Sequence, residues 1–302
     1  MIQFQSASKS YVSLFTRRRV DALSDFSMEM HRGEVVGIAG PNGAGKSTLI
    51  SLLLGFLDPS GGRVLVDGRT PRAYVEHDGA GYLTELIALP PAWRVPATLQ
   101  RLAVLAGVPA TERTARVNAQ LAQLGLEEHI RKTNKQLSKG NLQRVGLGQA
   151  LIGDFDLVVL DEPTHGLDPL WTQRFRDIVA ELRRPERLIL IASHNLDELE
   201  RLADRVAILN KGRLQNIVTR GAGLEAATPV LWRVVFDAPA PDVAAVLPGA
   251  TPIEGRAGAW TVRATRSGLS AALARLLGDG AVLVECTPQE STLESAFRAA
   301  VR

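Results

Sequence analysis

The chain has 302 residues, of which 45% are hydrophobic and 22% are charged, and its formal net charge is +3. This composition predicts a globular protein with an ample core, and so mild a positive charge does not favour a nucleic-acid-binding surface. The single cysteine, Cys286, excludes an internal disulfide and fits a reducing compartment. The longest apolar run, "LISLLLGFL", is far shorter than the roughly 20 residues that cross a bilayer, and the first residues lack the apolar core of a signal peptide. We therefore expect a soluble chain that reaches a membrane only through a partner.

The first motif along the chain is a glycine-rich loop, "GPNGAGKST", at residues 40 to 48. The apolar run Val35 to Ala39 before the loop is typical of a strand buried on both faces. The helix formers Leu49 to Leu54 follow the loop, with Gly55 as a stop. A strand, a loop of the pattern G-x-x-x-x-G-K-[ST] and a helix together predict a site for nucleotide phosphates.

The residue types of the loop indicate how it would hold these phosphates. Gly40, Gly43 and Gly45 let the backbone turn tightly, so that its N–H groups and the start of the next helix face phosphate oxygens. Lys46 supplies a positive charge for the β- and γ-phosphates, and Ser47 offers its hydroxyl to Mg²⁺. The other loop positions that we assign to nucleotide binding are Asn42, Ala44 and Thr48. The loop alone does not distinguish ATP from GTP.

The next segment is predicted to be a strand followed by helices. The stretch "GGRVLVDG" at residues 61 to 68 is typical of a strand that ends in a turn, and residues 97 to 152 are predicted to be helical. Leu99, Leu102 and Leu105 repeat at near-helical spacing. Prolines exclude a continuous helix before this region, at Pro90, Pro91 and Pro96.

Asn134 and Lys135 match the start of the NKxD sequence with which GTPases recognise guanine. Leu137 stands where that pattern needs an aspartate, so the carboxylate that would bond guanine is missing. We therefore predict ATP as the nucleotide.

Two further strands are predicted to end in polar residues that take part in chemistry. "LVVLDEPT" runs from four apolar residues into Asp161 and Glu162. In an enzyme with such a loop, the first acid holds Mg²⁺, directly or through water, and the second can accept a proton from an attacking water. "LILIASH" is a second apolar run that ends in Ser193 and His194.

The end of the chain differs in composition from the rest. Strand–helix alternation covers residues 153 to 218, with a hairpin around residues 210 to 212, and a shift occurs near "TRGAGLEAATP". Beyond it, "VLWRVVF", "AWTVRA" and "AVLVEC" predict strands, and "RSGLSAALARLL" and "STLESAFRAAV" predict helices. We predict a first domain at 1–220 and a small α+β domain at 221–302. Dimer contact, regulation, stability and ligand binding all remain open as roles for the small domain.

The segment "LSKGNLQRV" resembles the signature motif, LSGGQ, of ATP-binding-cassette (ABC) ATPases. Two positions depart from it, because Lys139 replaces a glycine and Asn141 replaces the glutamine. The matching positions are Leu137, Ser138, Gly140, Gln143 and Arg144. Ser138 can cap the following helix and Gly140 permits close backbone approach, so the start of this helix could grip an anion.

The resemblance covers roughly residues 1 to 220 and implies an α/β fold: a P-loop NTPase core of the ABC ATPase type with a helical subdomain at about 86–152. It implies that "HGLDP" is the D-loop of the family, with Asp168 as its aspartate. It also implies that His194 contacts the γ-phosphate and that Ser138 and Gly140 close over ATP held by another subunit. We interpret the remaining histidines, His165 among them, as surface or loop residues.

Two assignments that the resemblance implies are less direct. The family places an aromatic residue before the loop to stack on adenine; we choose Tyr11, with Phe15 as the competing candidate. The family usually has glutamine at the position of Glu85, where the side chain touches the metal and the attacking water. Glutamate can ligate Mg²⁺ but adds a negative charge near the γ-phosphate.

The function implied is the ATP-binding and ATP-hydrolysing subunit of an ABC transporter, with ATP and Mg²⁺ bound. One loop and one signature per chain imply head-to-tail pairing, with a second copy or with a sister ATPase. The subunit would lie at the cytoplasmic face of the membrane and bind a permease that is a separate chain. The extension and "GYLTE" resemble those of exporters, so we expect export. The alternatives are a soluble ABC ATPase acting on nucleic acid or ribosomes, and a binding module without hydrolysis.

Overall fold

A computed structural model of the chain describes residues 1–12, 19–220, 229–237 and 243–301. The chain divides into two compact units, Met1–Ile217 and Val218–Arg302, which are described in turn. Within the described residues, no helix is long and apolar enough to cross a membrane.

The elements up to Thr219 alternate between strands and helices. The strands are β1 (Ile2–Val12), β2 (Arg19–Met30), β3 (Val35–Ala39), β4 (Gly61–Val66), β5 (Gly81–Leu83), β6 (Leu157–Asp161), β7 (Leu188–Ser193), β8 (Arg205–Asn210) and β9 (Arg213–Thr219). The helices are α1 (Lys46–Leu53), α2 (Pro71–Asp78), α3 (Val95–Leu105), α4 (Arg113–Gln123), α5 (Lys139–Leu151), α6 (Pro169–Leu182) and α7 (Leu196–Leu202), with 3₁₀ turns at Glu127–His129 and Asn134–Gln136.

The central sheet brings the predicted motifs to one edge. Its order is β5-β6-β7-β3-β8-β9, and β3, β6 and β7 run parallel with every residue buried. Ala39 pairs with Ser193, and Asp161 pairs with Ala192, so the carboxyl ends of the three strands lie side by side. In open parallel sheets, ligands bind at this edge. The buried strands predicted from the apolar runs are confirmed.

A second, antiparallel sheet of order β2-β1-β4 shares the core of this unit. Phe4 and Phe26 meet edge to face with ring centroids 5.1 Å apart. Leu49 and Leu52 of α1 are fully buried in the same apolar cluster, which also contains residues of both sheets. This burial anchors the helix that follows the glycine-rich loop. The predicted stop at Gly55 is confirmed: its φ is +72°, and a Cβ there would lie 2.5 Å from the Arg72 nitrogen.

The region between β5 and β6 is helical, as predicted, with Pro96 in the first turn of α3, where proline is tolerated. Leu99 is fully buried, whereas Leu105 at the end of α3 is 83% exposed, so the leucine spacing marks a helix but not a single buried face. Asn134 is buried and donates hydrogen bonds to the Pro90 carbonyl at 2.8 Å and to Thr98 at 3.0 Å. Its amide is thus used in packing.

The second unit is an α+β fold, as predicted. Its elements are β10 (Val230–Phe236), α8 (Val243–Val246), β11 (Thr251–Pro252), β12 (Ala259–Ala264), α9 (Arg266–Gly278), β13 (Leu283–Pro288) and α10 (Thr292–Val301). The sheet order is β11-β12-β10-β13, and all of the paired strands are antiparallel. Alternate residues of β10, such as Trp232 and Val234, pack with Leu269 and Leu276 of α9. Cys286 packs against this core, where burial raises the pKa of its thiol.

A buried carboxylate in the second unit has its partners within the chain. The Glu290 side chain is 2% exposed and forms ion pairs with Arg263 and, at 3.1 Å, with Arg298. The Leu231 N–H donates to its Oε1 at 3.1 Å. Burial alone would raise the pKa of Glu290, but the Arg263 and Leu231 hydrogen bonds and the two positive charges lower it. This glutamate is therefore held ionised by its surroundings.

Candidate active site

A cavity of about 560 Å³ lies at the carboxyl edge of the central sheet. It is lined by the glycine-rich loop, by residues at the ends of β5, β6 and β7, and by one residue of β2. The lining residues are Ala22, Asn42, Gly43, Ala44, Gly45, Lys46, Ser47, Thr48, Glu85, Asp161, Glu162, His165 and His194.

Two glycines of the loop, Gly40 and Gly45, occupy positions where a Cβ would not fit. Gly45 has a φ of +108°, and a Cβ there would lie 2.5 Å from the Ala22 carbonyl oxygen. A Cβ on Gly40 would lie 2.7 Å from the carbonyl oxygen of Leu209. The loop is therefore compressed between β2 and the end of β8, and α1 begins directly after it at Lys46. This puts the N–H groups of a helix start at the cavity wall, which is where an anion is stabilised.

Lys46 carries a buried positive charge into the cavity. Only 8% of the residue is exposed, and its ammonium donates a hydrogen bond to the Gly40 carbonyl at 2.7 Å. The same nitrogen lies 3.9 Å from Oε1 of Glu162. The lysine thus lies between its own loop and the acidic strand end.

The acidic strand end carries more negative charge than the chain itself compensates. Asp161 and Glu162 are 4% and 6% exposed. Burial, together with the charges of Glu162 and Glu85, raises the pKa of Asp161 to about 6, and Lys46 only partly opposes this. Such a site is stabilised by a cation. Burial and the same neighbouring acids, Asp161 and Glu85, also raise the pKa of Tyr82 to about 12.

These residues fit Mg²⁺ in combination with a nucleotide. Ser47, Glu85 and Asp161 offer one hydroxyl and two carboxylates, all of them oxygen ligands of the kind that Mg²⁺ prefers. In the part of the chain that the structure describes, no group of three or more His, Cys, Asp or Glu side chains is arranged to hold a metal alone. Mg²⁺ usually keeps water and phosphate oxygens among its ligands, so a partial protein set is the expected arrangement.

Glu162 is oriented by the end of β7. Its Oε1 accepts a hydrogen bond from the His194 N–H at 3.0 Å, and its Oε2 accepts one from the Ser193 hydroxyl at 3.2 Å. The ring Nδ1 of His194 lies 2.8 Å from the same Oε2. The backbone of Glu162 is left-handed, with a φ of +49°, and its N–H donates to the Ala192 carbonyl at 2.8 Å. A non-glycine residue in this conformation is held there by its surroundings.

The signature residues Ser138 and Gly140 and the D-loop aspartate, Asp168, are not among the residues that line this cavity. Ser138 caps α5, since its hydroxyl accepts the Asn141 N–H at 3.2 Å. Asp168 caps α6 in the same way, accepting the Trp171 N–H at 2.9 Å. Gly140 is packed so closely that a Cβ would lie 2.9 Å from the Gly166 carbonyl oxygen. Both caps show why these residue types occur at these positions.

Tyr11 does not line the cavity either. It lies near the end of β1, 42% exposed, with the Lys9 ammonium 5.9 Å from its ring centroid. The competing candidate, Phe15, lies outside the described residues. Adenine stacking on Tyr11 therefore stays a prediction.

Two lining residues were missed from the sequence. His165 was interpreted as a surface or loop residue; it is exposed in the loop after β6, and it also forms part of the cavity wall. The position of His165, three residues after Glu162, could have predicted that it lies close to the acidic strand end. Ala22 reaches the cavity from β2 and gave no signal, because its position depends on how an antiparallel strand passes the loop.

A parallel sheet with a glycine-rich phosphate-binding loop, a buried acid pair and an oriented histidine at its carboxyl edge defines a P-loop nucleotide-binding class of protein. The family model described as ABC transporter matches residues 23–165. An uncharacterised ABC transporter ATP-binding protein of Nostoc sp. is 40% identical over 202 residues, which cover 65% of this chain and 59% of that protein. The methionine import ATP-binding protein MetN of Caulobacter vibrioides is 38% identical over 229 residues, covering 74% and 67%.

Solved structures agree on the fold. The dimeric post-hydrolysis state of the ATP-binding cassette MJ0796, bound to ADP and Pi, is 22% identical with a TM-score of 0.67, covering 72% of this chain and 98% of that one. The chain belongs to the ABC transporter family of ATP-binding proteins. It spans 59%, 61% and 65% of the length of three of the curated relatives it matches.

Proposed function

We propose that this chain binds ATP with Mg²⁺, hydrolyses it, and serves as the ATP-binding subunit of an ABC transporter. The observation that carries the proposal is the arrangement of Lys46, Asp161, Glu162 and His194 around one cavity, with Glu162 held by Ser193 and His194. A loop used only for phosphate binding would not need an oriented carboxylate beside its lysine.

The loop and α1 bind the triphosphate. Backbone N–H groups and the Lys46 ammonium face the β- and γ-phosphates, and an entering phosphate exchanges with the Gly40 carbonyl as a partner of the ammonium. Ser47, Asp161 and Glu85 would hold Mg²⁺, which neutralises charge on the phosphate oxygens. A cation there also relieves the repulsion that raises the pKa of Asp161.

Glu162 acts as the general base. A water attacks the γ-phosphorus in line with the bond to the β–γ bridging oxygen; the new P–O bond forms as that bond breaks, and ADP leaves. The water's proton passes to the Glu162 carboxylate. Lys46 stabilises charge on the phosphates. The Nδ1–H of His194 donates to Oε2 of Glu162, and with the ring protonated its Nε2–H would donate to the γ-phosphate.

A complete site would need a second polypeptide. Ser138 and Gly140 lie at the start of α5 and, within the described residues, do not line the chain's own cavity. We propose that they close on ATP bound by a partner, either a second copy or a sister ATPase, in a head-to-tail pair. Support comes from the similar cassette MJ0796, which was solved as a dimer.

We propose that ATP hydrolysis by this chain is coupled to transport, and we treat the direction of transport separately. The relatives are named ABC transporter or import proteins, which favours a transporter at the cytoplasmic face of a membrane over a ribosome- or nucleic-acid-directed ATPase. We propose that the permease is a separate chain. Export was predicted from Glu85 and the extension. It stays a prediction, because relatives named for methionine import cover the same part of the chain.

Glu162→Gln tests the base directly. Loss of the proton acceptor should reduce turnover by roughly 10²- to 10⁴-fold while ATP still binds and accumulates in an ATP-dependent dimer. Steady-state phosphate release and size-exclusion chromatography with and without Mg-ATP measure the two effects. Glu128→Gln, which alters an exposed glutamate outside the cavity, is the matched control. Turnover at the wild-type rate in the Glu162 variant would refute the assignment.

A further inference from the structure

The two departures from the signature motif each contact a histidine. The Lys139 ammonium lies 2.6 Å from Nε2 of His165, and the Asn141 amide nitrogen lies 2.6 Å from Nε2 of His129. Both contacts are made by the first turn of α5, immediately beside Ser138 and Gly140. The residues that replace the usual glycine and glutamine therefore have specific partners.

The contact of Lys139 fixes the direction of the hydrogen bond. An ammonium has only donors, so Lys139 donates and Nε2 of His165 accepts. The aliphatic stem of Lys139 lies over Gly166, where an added Cβ would come within 3.2 Å to 3.3 Å of three of its carbons. Lys139 thus covers the loop residue next to the histidine as well as bonding the histidine itself.

Other contacts bind α5 to the same loop. The side-chain amide of Gln143 donates to the carbonyl of Glu162 at 3.2 Å and to that of Pro163 at 3.1 Å. Gly140 packs against the Gly166 carbonyl. The loop between β6 and α6 therefore begins at the general base, contributes His165 to the cavity wall, and is held along its length by α5.

We propose that Lys139 is a positioning residue, which through His165 ties the start of α5 to the loop that carries Glu162. Nucleotide bound in the chain's own cavity then sets the position of Ser138 and Gly140, the half-site offered to a partner. This rests on the proposed function, because it assigns the signature residues to a partner's nucleotide. Gln143 fixes the first part of the loop, and Lys139 fixes the part that faces the cavity.

The exposure of Lys139 and His165 makes it possible to distinguish a positioning role from a contribution to stability. Lys139 and His165 are both exposed, and exposed polar contacts contribute little to folding. Breaking the contact should leave the midpoint of thermal unfolding nearly unchanged. It should change how α5 responds to nucleotide, which a contact that merely added stability would not do.

The first measurement uses the whole chain at a concentration at which analytical ultracentrifugation shows a monomer with ATP and Mg²⁺ present. The amide resonances of Ser138 and Gly140 should shift when ATP and Mg²⁺ are added to the wild type. Lys139→Met keeps the stem but removes the donor, and should reduce these shifts by at least about half while a fluorescent ATP analogue binds as before. Lys139→Arg supplies another donor and should restore them. Lys135→Met, at a nearby exposed lysine, is the control and should match the wild type.

The second measurement is ATP-dependent dimerisation in the Glu162→Gln background, followed by analytical ultracentrifugation. Lys139→Met should weaken the dimer roughly threefold to tenfold, the range for loss of one ordinary hydrogen bond, since the Lys139–His165 contact is exposed. His165→Ala should weaken it similarly, with little further loss in the double variant. His165→Asn, which keeps an acceptor, should be less affected than His165→Ala.

The outcomes separate the two proposals. Failure of the Glu162→Gln protein to dimerise with ATP would count against the proposed function, and the monomer resonances would still decide the role of Lys139. Equal resonance shifts in the Lys139→Met and Lys135→Met proteins would overturn that role. Equal dimer affinity in the two variants, or fully additive losses with His165→Ala, would overturn it as well.

Discussion

Buried carboxylates occur in both units of this chain, and they differ in how their charge is compensated. Glu290 in the second unit has two arginines and a backbone N–H, which lower its pKa. Asp161 in the first unit lies beside two other acids and one lysine, and its pKa is raised to about 6. Burial acts on both groups in the same direction, so the difference comes from the neighbours.

The difference distinguishes a stabilising group from a binding group. A carboxylate whose partners are all in the chain contributes to folding and has little reason to bind a cation. A buried carboxylate that lies beside other carboxylates destabilises the free protein, because the chain does not balance their mutual repulsion. A bound cation removes this repulsion. The comparison therefore predicts that removing these two charges changes stability in opposite directions.

Among the substitutions that test this comparison, the largest effect is expected from Lys46, the lysine that partly offsets the acidic cluster. Lys46→Met keeps most of the side-chain volume and removes the ammonium that faces the phosphates. Turnover should fall by roughly 10²- to 10³-fold, the size expected for loss of one electrostatic contact to developing charge. Phosphate release and binding of a fluorescent ATP analogue measure this, and Lys132→Met, at an exposed lysine, is the control. Unchanged turnover would remove Lys46 from the mechanism.

The next effect is a loss of stability in the second unit. Glu290→Gln keeps the shape and an acceptor for the Leu231 N–H, but it leaves Arg263 and Arg298 without a carboxylate. We expect a loss of about 1 to 3 kcal/mol in the free energy of unfolding at neutral pH, measured by urea titration. Because the pKa of Glu290 is lowered, its contribution is present above the unfolded value of 4.5 and is lost as pH falls through the folded pKa.

The wild type and the Glu290 variant should therefore converge in acid. Glu254→Gln, at an exposed glutamate of the same unit, should match the wild type at every pH. A Glu290 variant that is as stable as the wild type at neutral pH would contradict the view that this group stabilises the fold.

The last effect has the opposite sign. Asp161→Asn removes a carboxylate whose folded pKa lies above its unfolded value of 3.8, so the wild type loses stability as pH rises from about 4 to about 6. Without nucleotide and with a chelator, the variant should be more stable than the wild type at neutral pH by at most about 3 kcal/mol, at about 1.4 kcal/mol for each pH unit between the two pKa values. The difference should vanish below pH 3.8. A less stable variant would show that the charge is compensated after all.

Patterns along the chain predicted the parts of this molecule that depend on neighbours in sequence. The strands β3, β6 and β7 are continuous apolar runs apart from their last residues, and the glycine-rich loop has the spacing of a phosphate-binding turn between a strand and a helix. Ser138 and Asp168 were found because their segments resemble motifs of the family, and Ser138 was also recognised as a residue that can cap a helix. The order of the motifs then identified the fold.

What the sequence did not predict depends on residues that fold together from far apart. His165 lies in the cavity wall, in a loop that contacts α5. Leu105 is exposed at the last residue of α3. Glu290 gave no signal, since its partners Arg263 and Arg298 become a cluster only when β12 and α10 meet around it. The spacing of residues along the chain does not predict contacts between residues that are far apart in sequence.

The left-handed backbone at Glu162 limits which substitutions there can be interpreted. Asparagine and glycine accept a positive φ readily, whereas valine and isoleucine are strained by it. An inactive valine or isoleucine mutant would therefore report distortion of the main chain rather than a missing proton acceptor. Only replacements that tolerate the positive φ test the role of the carboxylate in catalysis. Glutamine is suitable because its side chain has the length and branching of the native glutamate.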